Sequence, residues 1–414
     1  MAVSYTPQDR LGAAAQMLAP FSFDEFLAEH LERKPLHIAR DVPGYFDDVY
    51  CIGDVEDALV VGAREPELFA LVKSGTPEIP VEDYTYERPS VRWRITGKAA
   101  RRCVDGRKVM AHFSEGFTVV IKDAAQVNAR LQRFCNRLQR DLAAFAQPNV
   151  YLTPPSAQGF EVHHDTHDTF TAQISGEKTW RIYEPIVPLP LESQPFNSGT
   201  KVPGLKLLHE VLLRPGDTLY IPRGFPHEAR TSATTSLHCT FALVPIRLAD
   251  VLDIVLRIAS DRDVALRTAL TPEMLADGEL ATQVAALFES RMAPAFSHER
   301  VHLAIEIAIN ELFKLTRPNT DGAFDQVLRA AAMTPGTGIR LDDAVPFRVR
   351  EHDGVVDVVL PGKVVVFPGE CAPALARLQQ GPTSVGTMDP GLNPAYQVAL
   401  IKRLVIEGLV IIEE

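Results

Sequence analysis

Cysteine is scarce in this sequence. The 414 residues hold five, at positions 51, 103, 135, 239 and 371, and none forms a C-x-x-C pair. That spacing excludes a disulfide framework and a zinc ribbon. Long apolar runs are missing too: no stretch reaches the ~18–20 residues needed to cross a bilayer. Basic excess is absent, since Lys and Arg total 42 against 53 Asp and Glu, for a formal net charge of −11. Such a chain repels nucleic-acid phosphates and suits a basic partner, although acidity also serves solubility alone. No internal repeat or low-complexity tract stands out. The start, Met1–Arg10, is polar and lacks the basic-then-apolar order of a signal peptide, so the expected setting is soluble and cytoplasmic. What is present is apolar mass: 46% hydrophobic residues, enough for several cores in two or three compact units.

Along the chain the texture changes three times. Phe23, Phe26, Leu27 and then His30 or Leu31 recur at helical spacing before Pro35, and Leu36-His37-Ile38 follows as an extended stretch. A β-type run, Phe117–Ile121, leads into a helix predicted from about Ala124 to Gln147 and stopped by Pro148. Its apolar face is Val127, Leu131, Phe134, Leu138, Leu142 and Phe145. From Asn149 to Pro245, short runs rich in Val, Thr, Tyr and Phe alternate with Gly and Pro turns. Phe170–Ile174 and Lys178–Tyr183 read as a hairpin around Ser175-Gly176-Glu177, and Thr218–Ile221 as a strand between two turns. Many short antiparallel strands of this kind predict a double-stranded β-helix, or jelly roll, in a mixed α+β chain. Helical stripes then return, Leu248–Leu256 and Val301–Leu312, and Pro318–Asp321 reads as a linker. A hairpin (Val355–Leu360 with Val364–Phe367), helices at Ala372–Gln379 and Pro394–Glu407, and a strand at Leu409–Ile412 suggest a winged-helix-like module.

Chemistry concentrates in Gly159–Asp168, which contains His163-His164-Asp165 and His167. If this run is a strand, residues two apart share a face, which pairs His163 with Asp165. Completed by one distant histidine, the pair makes a two-His-one-carboxylate triad. That arrangement binds Fe(II) and leaves adjacent positions free. The distant candidate is His227, after the turn and strand Gly216–Gly224. A His-x-Asp triplet also arises by chance, and clustered histidines can be a surface group or a hydrogen-bonded core network. The β texture and the placement of His227 favour the metal reading.

Several longer motifs carry a resemblance. Asn149–Pro155, Gly159-Phe160, His163-His164-Asp165, Phe170, Gln173, Gly176 and Lys178-Thr179-Trp180, then Pro215–Gly224, His227 and Ser236–Thr240, resemble the ribosomal-oxygenase branch of the JmjC/cupin family of 2-oxoglutarate oxygenases. The resemblance implies iron ligation by His163, Asp165 and His227. It implies that Lys178 pairs with the distal carboxylate of 2-oxoglutarate, with Thr240 and Tyr151 near that co-substrate. Asn149 and Tyr151 match positions at the substrate mouth. His167 by parity, and His238 by its strand, are expected close behind these. His164 is expected to face away, and Trp180 to be core. Each has a plainer alternative: a solvated lysine after a turn, a threonine serving as a β-former, an asparagine starting a strand. Where the histidine-hydroxylating members place a Ser two residues after the matching Thr, this chain has Ala242, which departs from a histidine substrate.

The implied function is an Fe(II)-, 2-oxoglutarate- and O2-dependent hydroxylation of a protein or peptide side chain, a ribosomal-protein-like target being favoured over a histone. A natural-product precursor peptide is the alternative substrate. A non-catalytic cupin and winged-helix binding protein, or a cupin isomerase or dioxygenase without 2-oxoglutarate, are the alternatives in kind. Nucleic acid is disfavoured as a partner because the acidic C-terminal segment offers only Lys402-Arg403 as a basic pair on its last helix. The expected organisation is an oxygenase domain at residues 1–247, helices forming a homodimer at 248–316, and the winged-helix-like domain at 317–414.

Overall fold

Alternation of small or polar with bulky apolar residues sets most of the strands. In this computed structural model, the described residues are 12–88, 101–196, 204–292, 294, 296–318 and 320–413. Met1–Arg10, and Asn319 of the expected linker, lie outside them. Two units divide the chain: Met1–Val244 with Asn319–Val345 and Glu370–Glu414, and Pro245–Pro318 with Pro346–Gly369.

In the first unit the strands are β1 (Leu36–Ile38), β2 (Phe69–Val72), β3 (Thr85–Arg88), β4 (Arg101–Val104), β5 (Thr118–Ile121), β6 (Ala144–Thr153), β7 (Asp168–Ser175), β8 (Lys178–Tyr183), β9 (Leu207–Leu213), β10 (Thr218–Ile221), β11 (His227–Thr231) and β12 (Ser236–Pro245). A seven-stranded sheet runs β1-β10-β7-β12-β6-β5-β2, and a three-stranded sheet runs β11-β8-β9. Because side chains alternate across a strand, each central strand serves two environments. Phe170, Ala172 and Ile174 of β7 join Leu237, Cys239 and Phe241 of β12 and Val150 of β6 in the main core, against Phe26 and the helix residues Leu131, Phe134 and Leu138. The opposite parity carries Asn149, Tyr151 and Thr153, then Thr169, Thr171 and Gln173, then His238, Thr240 and Ala242. The three-stranded sheet covers this inner side: Trp180, Ile182 and Leu213 pack with Leu219 and Ile221 of the larger sheet.

Three local expectations change. The helix predicted to Gln147 runs only over Ala129–Leu142. Ala143 adopts a left-handed conformation (φ 50°), and β6 starts at the next residue, so Phe145 and Pro148 lie in a strand. Helical periodicity carried past its true end because alternating and helical patterns coincide over a few residues. The β7–β8 pair is not a hairpin: β7 pairs with β10 and β12, and β8 with β9 and β11. The chain changes sheets at Gly176 (φ 65°), where an added Cβ would collide with the Thr235 carbonyl oxygen. Finally, Gly159–His167 is not a regular strand; it touches the sheets through isolated bridges, Gln158 to Arg230 and His163 to His227.

The rest of the first unit includes a three-stranded sheet of Gly338–Leu341, Thr383–Ser384 and Val410–Ile412, and the helices Ala372–Gln379 and Pro394–Ile406, the latter followed by Gly408 at φ 76°. The second unit contains the helices Leu248–Arg262 and His298–Leu315. Val251, Val255, Ala304 and Ala308 form a core between them. It also contains a meander of Arg348–His352, Val355–Leu360 and Lys363–Pro368, whose Arg348 forms a two-pronged, largely buried ion pair with Glu306. No helix among the described residues is long and apolar enough to cross a membrane.

Candidate functional site

His163 and Asp165 lie in the irregular link between β6 and β7, and His227 opens β11. The backbone brings them together. His163 N donates to His227 O (3.1 Å), His227 N donates to His163 O (2.8 Å), and Gly224 N donates to Asp165 O (3.0 Å). Each imidazole has its Nδ1 against a carbonyl two residues earlier, His163 to Glu161 O at 2.8 Å and His227 to Phe225 O at 3.0 Å. A proton on Nδ1 satisfies those carbonyls and leaves the Nε2 lone pair free, the tautomer a metal-bound histidine needs. Both Nε2 atoms face Asp165, at 3.9 Å from Oδ1 and 3.7 Å from Oδ2. The three donor atoms lie within 4.8 Å of one another, the one such metal-competent group among the described residues. Cis donors bonded to one ion at about 2.1 Å sit ~3 Å apart, so small side-chain rotations close the gap. Burial, helped by His163, pushes the His227 imidazole down to about 4, which keeps it neutral. Burial alone raises the Asp165 carboxyl, but the surrounding histidines outweigh it and hold it below its ordinary value.

Lys178, at the head of β8, is 4% exposed. Its ammonium donates to Thr153 Oγ1 at 3.2 Å and meets no carboxylate among the described residues. Burial without a counter-charge pushes it down to about 7. A closed circuit of rings takes in two of the three donors. Tyr151 stacks on His238 (centroids 4.8 Å apart, planes 6° from parallel), and His238 meets Trp180 edge-on at 5.7 Å. Trp180 lies 5.9 Å from His227, His227 4.7 Å from His163, His163 5.9 Å from Phe160, and Phe160 6.1 Å from Tyr151.

The other expected residues divide. Asn149 accepts a hydrogen bond from Asp123 N (3.0 Å) and also engages the Tyr151 hydroxyl, so it braces the strand as well as lining the inner side. Thr240 faces Thr171 across the β7–β12 pairing, their hydroxyls 3.1 Å apart. His167 is half-buried and falls outside the three-donor group, with its Nδ1 lacking a partner. His164 turns away, as expected, with Nε2 3.4 Å from Gln194 O and its ring against Phe196. Sequence reasoning gave Thr153 and Phe160 no role; it assigned Trp180 to the core, where it packs, although its ring also meets His227 and His238. The parity of β6 (149, 151, 153) and of β8 (178, 180) was the signal for Thr153 and Trp180; Phe160, in a bend, offered none.

Residues 121–251 match the JmjC domain. Among curated proteins, it is 32% identical over 233 residues to the bifunctional lysine-specific demethylase and histidyl-hydroxylase NO66 of Drosophila persimilis, covering 55% of this chain and 31% of that one. It is 31% identical over 229 residues to ribosomal oxygenase 1 of Gallus gallus (54% and 35% covered), and 29% identical over 287 residues to ribosomal oxygenase 2 of Mus musculus (65% and 56%). The chain therefore spans about a third of the length of the fly and chicken relatives. Among solved structures, Escherichia coli ycfD superposes with a TM-score of 0.55 at 16% identity over 95% of this chain and 98% of that one. A structure of the same ribosomal oxygenase in complex with cobalt and 2-oxoglutarate gives 0.52 at 16% identity, over 95% and 99%. The likeness fixes a JmjC, cupin-like fold with a large antiparallel sheet.

Proposed function

Taking a JmjC domain as the premise, we propose that this protein is an Fe(II)- and 2-oxoglutarate-dependent oxygenase that hydroxylates a side chain of a protein or peptide. The observation that carries the reading is a converged His-Asp-His donor set and, on the strand paired with that of His227, a buried lysine with no carboxylate beside it among the described residues. His163, Asp165 and His227 hold the metal, and Lys178 pairs with the distal carboxylate of the co-substrate. When bound, iron and 2-oxoglutarate supply the oxidising chemistry: dioxygen is consumed, 2-oxoglutarate leaves as succinate and carbon dioxide, and a C–H carbon gains a hydroxyl. The chain's own residues orient and desolvate. Tyr151, Trp180 and Phe160 exclude water, Thr240 stands by the co-substrate, and Asn149 with Tyr151 lines the mouth. His167 stands behind the ligands, and His238 lies near the co-substrate.

A ribosomal-protein-like substrate is favoured because relatives bear the names ribosomal oxygenase and histidyl-hydroxylase, and the acidic chain suits a basic partner. Ala242, opposite Thr169, leaves the exact side chain open between histidine and others. In this reading, residues 1–247 are the oxygenase domain and 317–414 a winged-helix-like module that binds protein or supports the dimer. Residues 248–316 pair two copies, a role supported by exposed Leu248, Leu252, Leu256, Leu303 and Ile305 on the two long helices. Five free cysteines suit a reducing, cytoplasmic setting.

The test is succinate formation by anaerobically iron-loaded protein given 2-oxoglutarate and then oxygen, with and without basic ribosomal proteins. His163→Ala and Lys178→Ala should abolish it. No succinate from the unaltered chain, together with no 2-oxoglutarate binding to its metal-loaded form, would sink the reading and leave a binding module.

A further inference from the structure

The inner face around Lys178 holds a surplus of hydrogen-bond donors. Thr153 Oγ1 accepts from Lys178 and from Thr118 Oγ1 (3.2 Å each), so both its lone pairs are used and its own hydroxyl proton is free to donate. Trp180 Nε1, a group that can only donate, is buried with no partner. His238 is 2% exposed, and its Nδ1 is buried with no partner. Its ring is fixed on one face by Tyr151 and on its edge by Trp180. Burial and the neighbouring Lys178 charge hold it neutral, so it carries one N–H. A desolvated carboxylate has about four acceptor positions, and one ammonium does not fill them. Leaving buried donors unpaired is costly, so a site that retains several is shaped for an acceptor that arrives later.

Resting on the function proposed above, we propose that His238 is a co-substrate-binding residue which, with Trp180, donates to the distal carboxylate of 2-oxoglutarate beside Lys178 and so selects a dicarboxylate over a shorter 2-oxo acid. The competing acceptor is Gln173 Oε1, which is buried, unpartnered and opposite His238 in the β7–β12 pairing. If His238 served Gln173, removing its N–H would change folding stability and leave co-substrate affinity alone.

The experiment is calorimetry on the manganese-loaded protein with 2-oxoglutarate and, in parallel, with 2-oxobutyrate, which lacks the distal carboxylate. His238→Phe keeps a flat ring on Tyr151 but carries no N–H; His238→Asn restores a donor. The expected result is 2-oxoglutarate binding weakened about ten- to hundredfold in His238→Phe and partly recovered in His238→Asn, with 2-oxobutyrate affinity unchanged. Equal 2-oxoglutarate affinity in His238→Phe and the unaltered protein overturns the inference, as does an equal loss for both ligands. Trp180→Phe should show the same ligand dependence more weakly; a loss of manganese binding instead would assign Trp180 to His227 alone. Absence of 2-oxoglutarate binding in the unaltered protein is a separate outcome, because it removes the proposed function itself.

Discussion

His163 and His227 exchange two backbone hydrogen bonds, of 3.1 and 2.8 Å, so the two imidazoles are paired through their main chains and need no ion to hold them together. Removing one side chain should therefore leave the pairing intact. His163→Ala and Asp165→Ala are expected to melt close to the unaltered protein without metal, yet to lose the rise in melting temperature that manganese confers on it. Binding of metal to the native state alone stabilises by mass action. A metal-free Asp165→Ala that is already unfolded at 25 °C would show the cluster to be structural.

Lys178 makes a pH prediction with a definite sign. Its pKa is pushed down to about 7 in the folded chain, against an unfolded value of about 10.4. Between those values the unfolded state holds more protons, so this residue's contribution to stability rises with pH across that window and is most unfavourable below about 7. Lys178→Met should stabilise the metal-free protein at pH 6, by on the order of 4 kcal/mol at most, and by little near pH 10. Urea unfolding at both pH values measures the difference; a benefit that does not shrink with pH contradicts it.

The same lysine ties co-substrate binding to proton uptake. A carboxylate arriving beside Lys178 favours its charged form, so at pH 8 binding should take up close to one proton, and at pH 6 close to none. Calorimetry in two buffers of different ionisation enthalpy reads this directly. Equal observed heats in both buffers at pH 8 would place the carboxylate elsewhere.

Asp217, in the turn before β10, accepts from the backbone N–H groups of Arg40, Asp41 and Arg214 and lies 3.3 Å from His37. Burial alone would raise its pKa, but these bonds bring it down to about 2. A lowered carboxyl stabilises above its unfolded pKa of about 3.9 and loses that contribution as pH falls toward 2. Asp217→Asn should cost roughly 2–3 kcal/mol at pH 7, with the gap to the unaltered protein narrowing below pH 4 in denaturant titrations.

Much of this was legible from residue order alone. The three donors and the strands from Asn149 to Pro245 follow from alternation and from Gly and Pro turns, which are local properties, whereas the role of Lys178 was implied only by the family resemblance. The exchange of sheets at Gly176 was not legible, because a turn residue announces a reversal but not which strand waits beyond it. The end of the helix at Leu142 was hidden because Ala143 is an ordinary helix former held left-handed by its surroundings. His163 and Asp165 were paired by strand parity although they lie in a bent segment. They converge because a backbone bridge to β11 does what a strand would have done. Gly176 itself can be tested. Gly176→Ala should destabilise by more than about 2 kcal/mol, whereas Gly362→Ala, in an open turn of similar φ, should cost about 1 kcal/mol.

The Nδ1 contacts of His163 and His227 with the carbonyls of Glu161 and Phe225 have a kinetic corollary. Both imidazoles are aimed, and in the right tautomer, before any ion arrives. Little torsional freedom is left to freeze at capture, and no proton need leave the His227 ring. The rate of metal uptake should then follow access past Phe160, which is 43% exposed at the rim, more than any rearrangement of the ligands behind it.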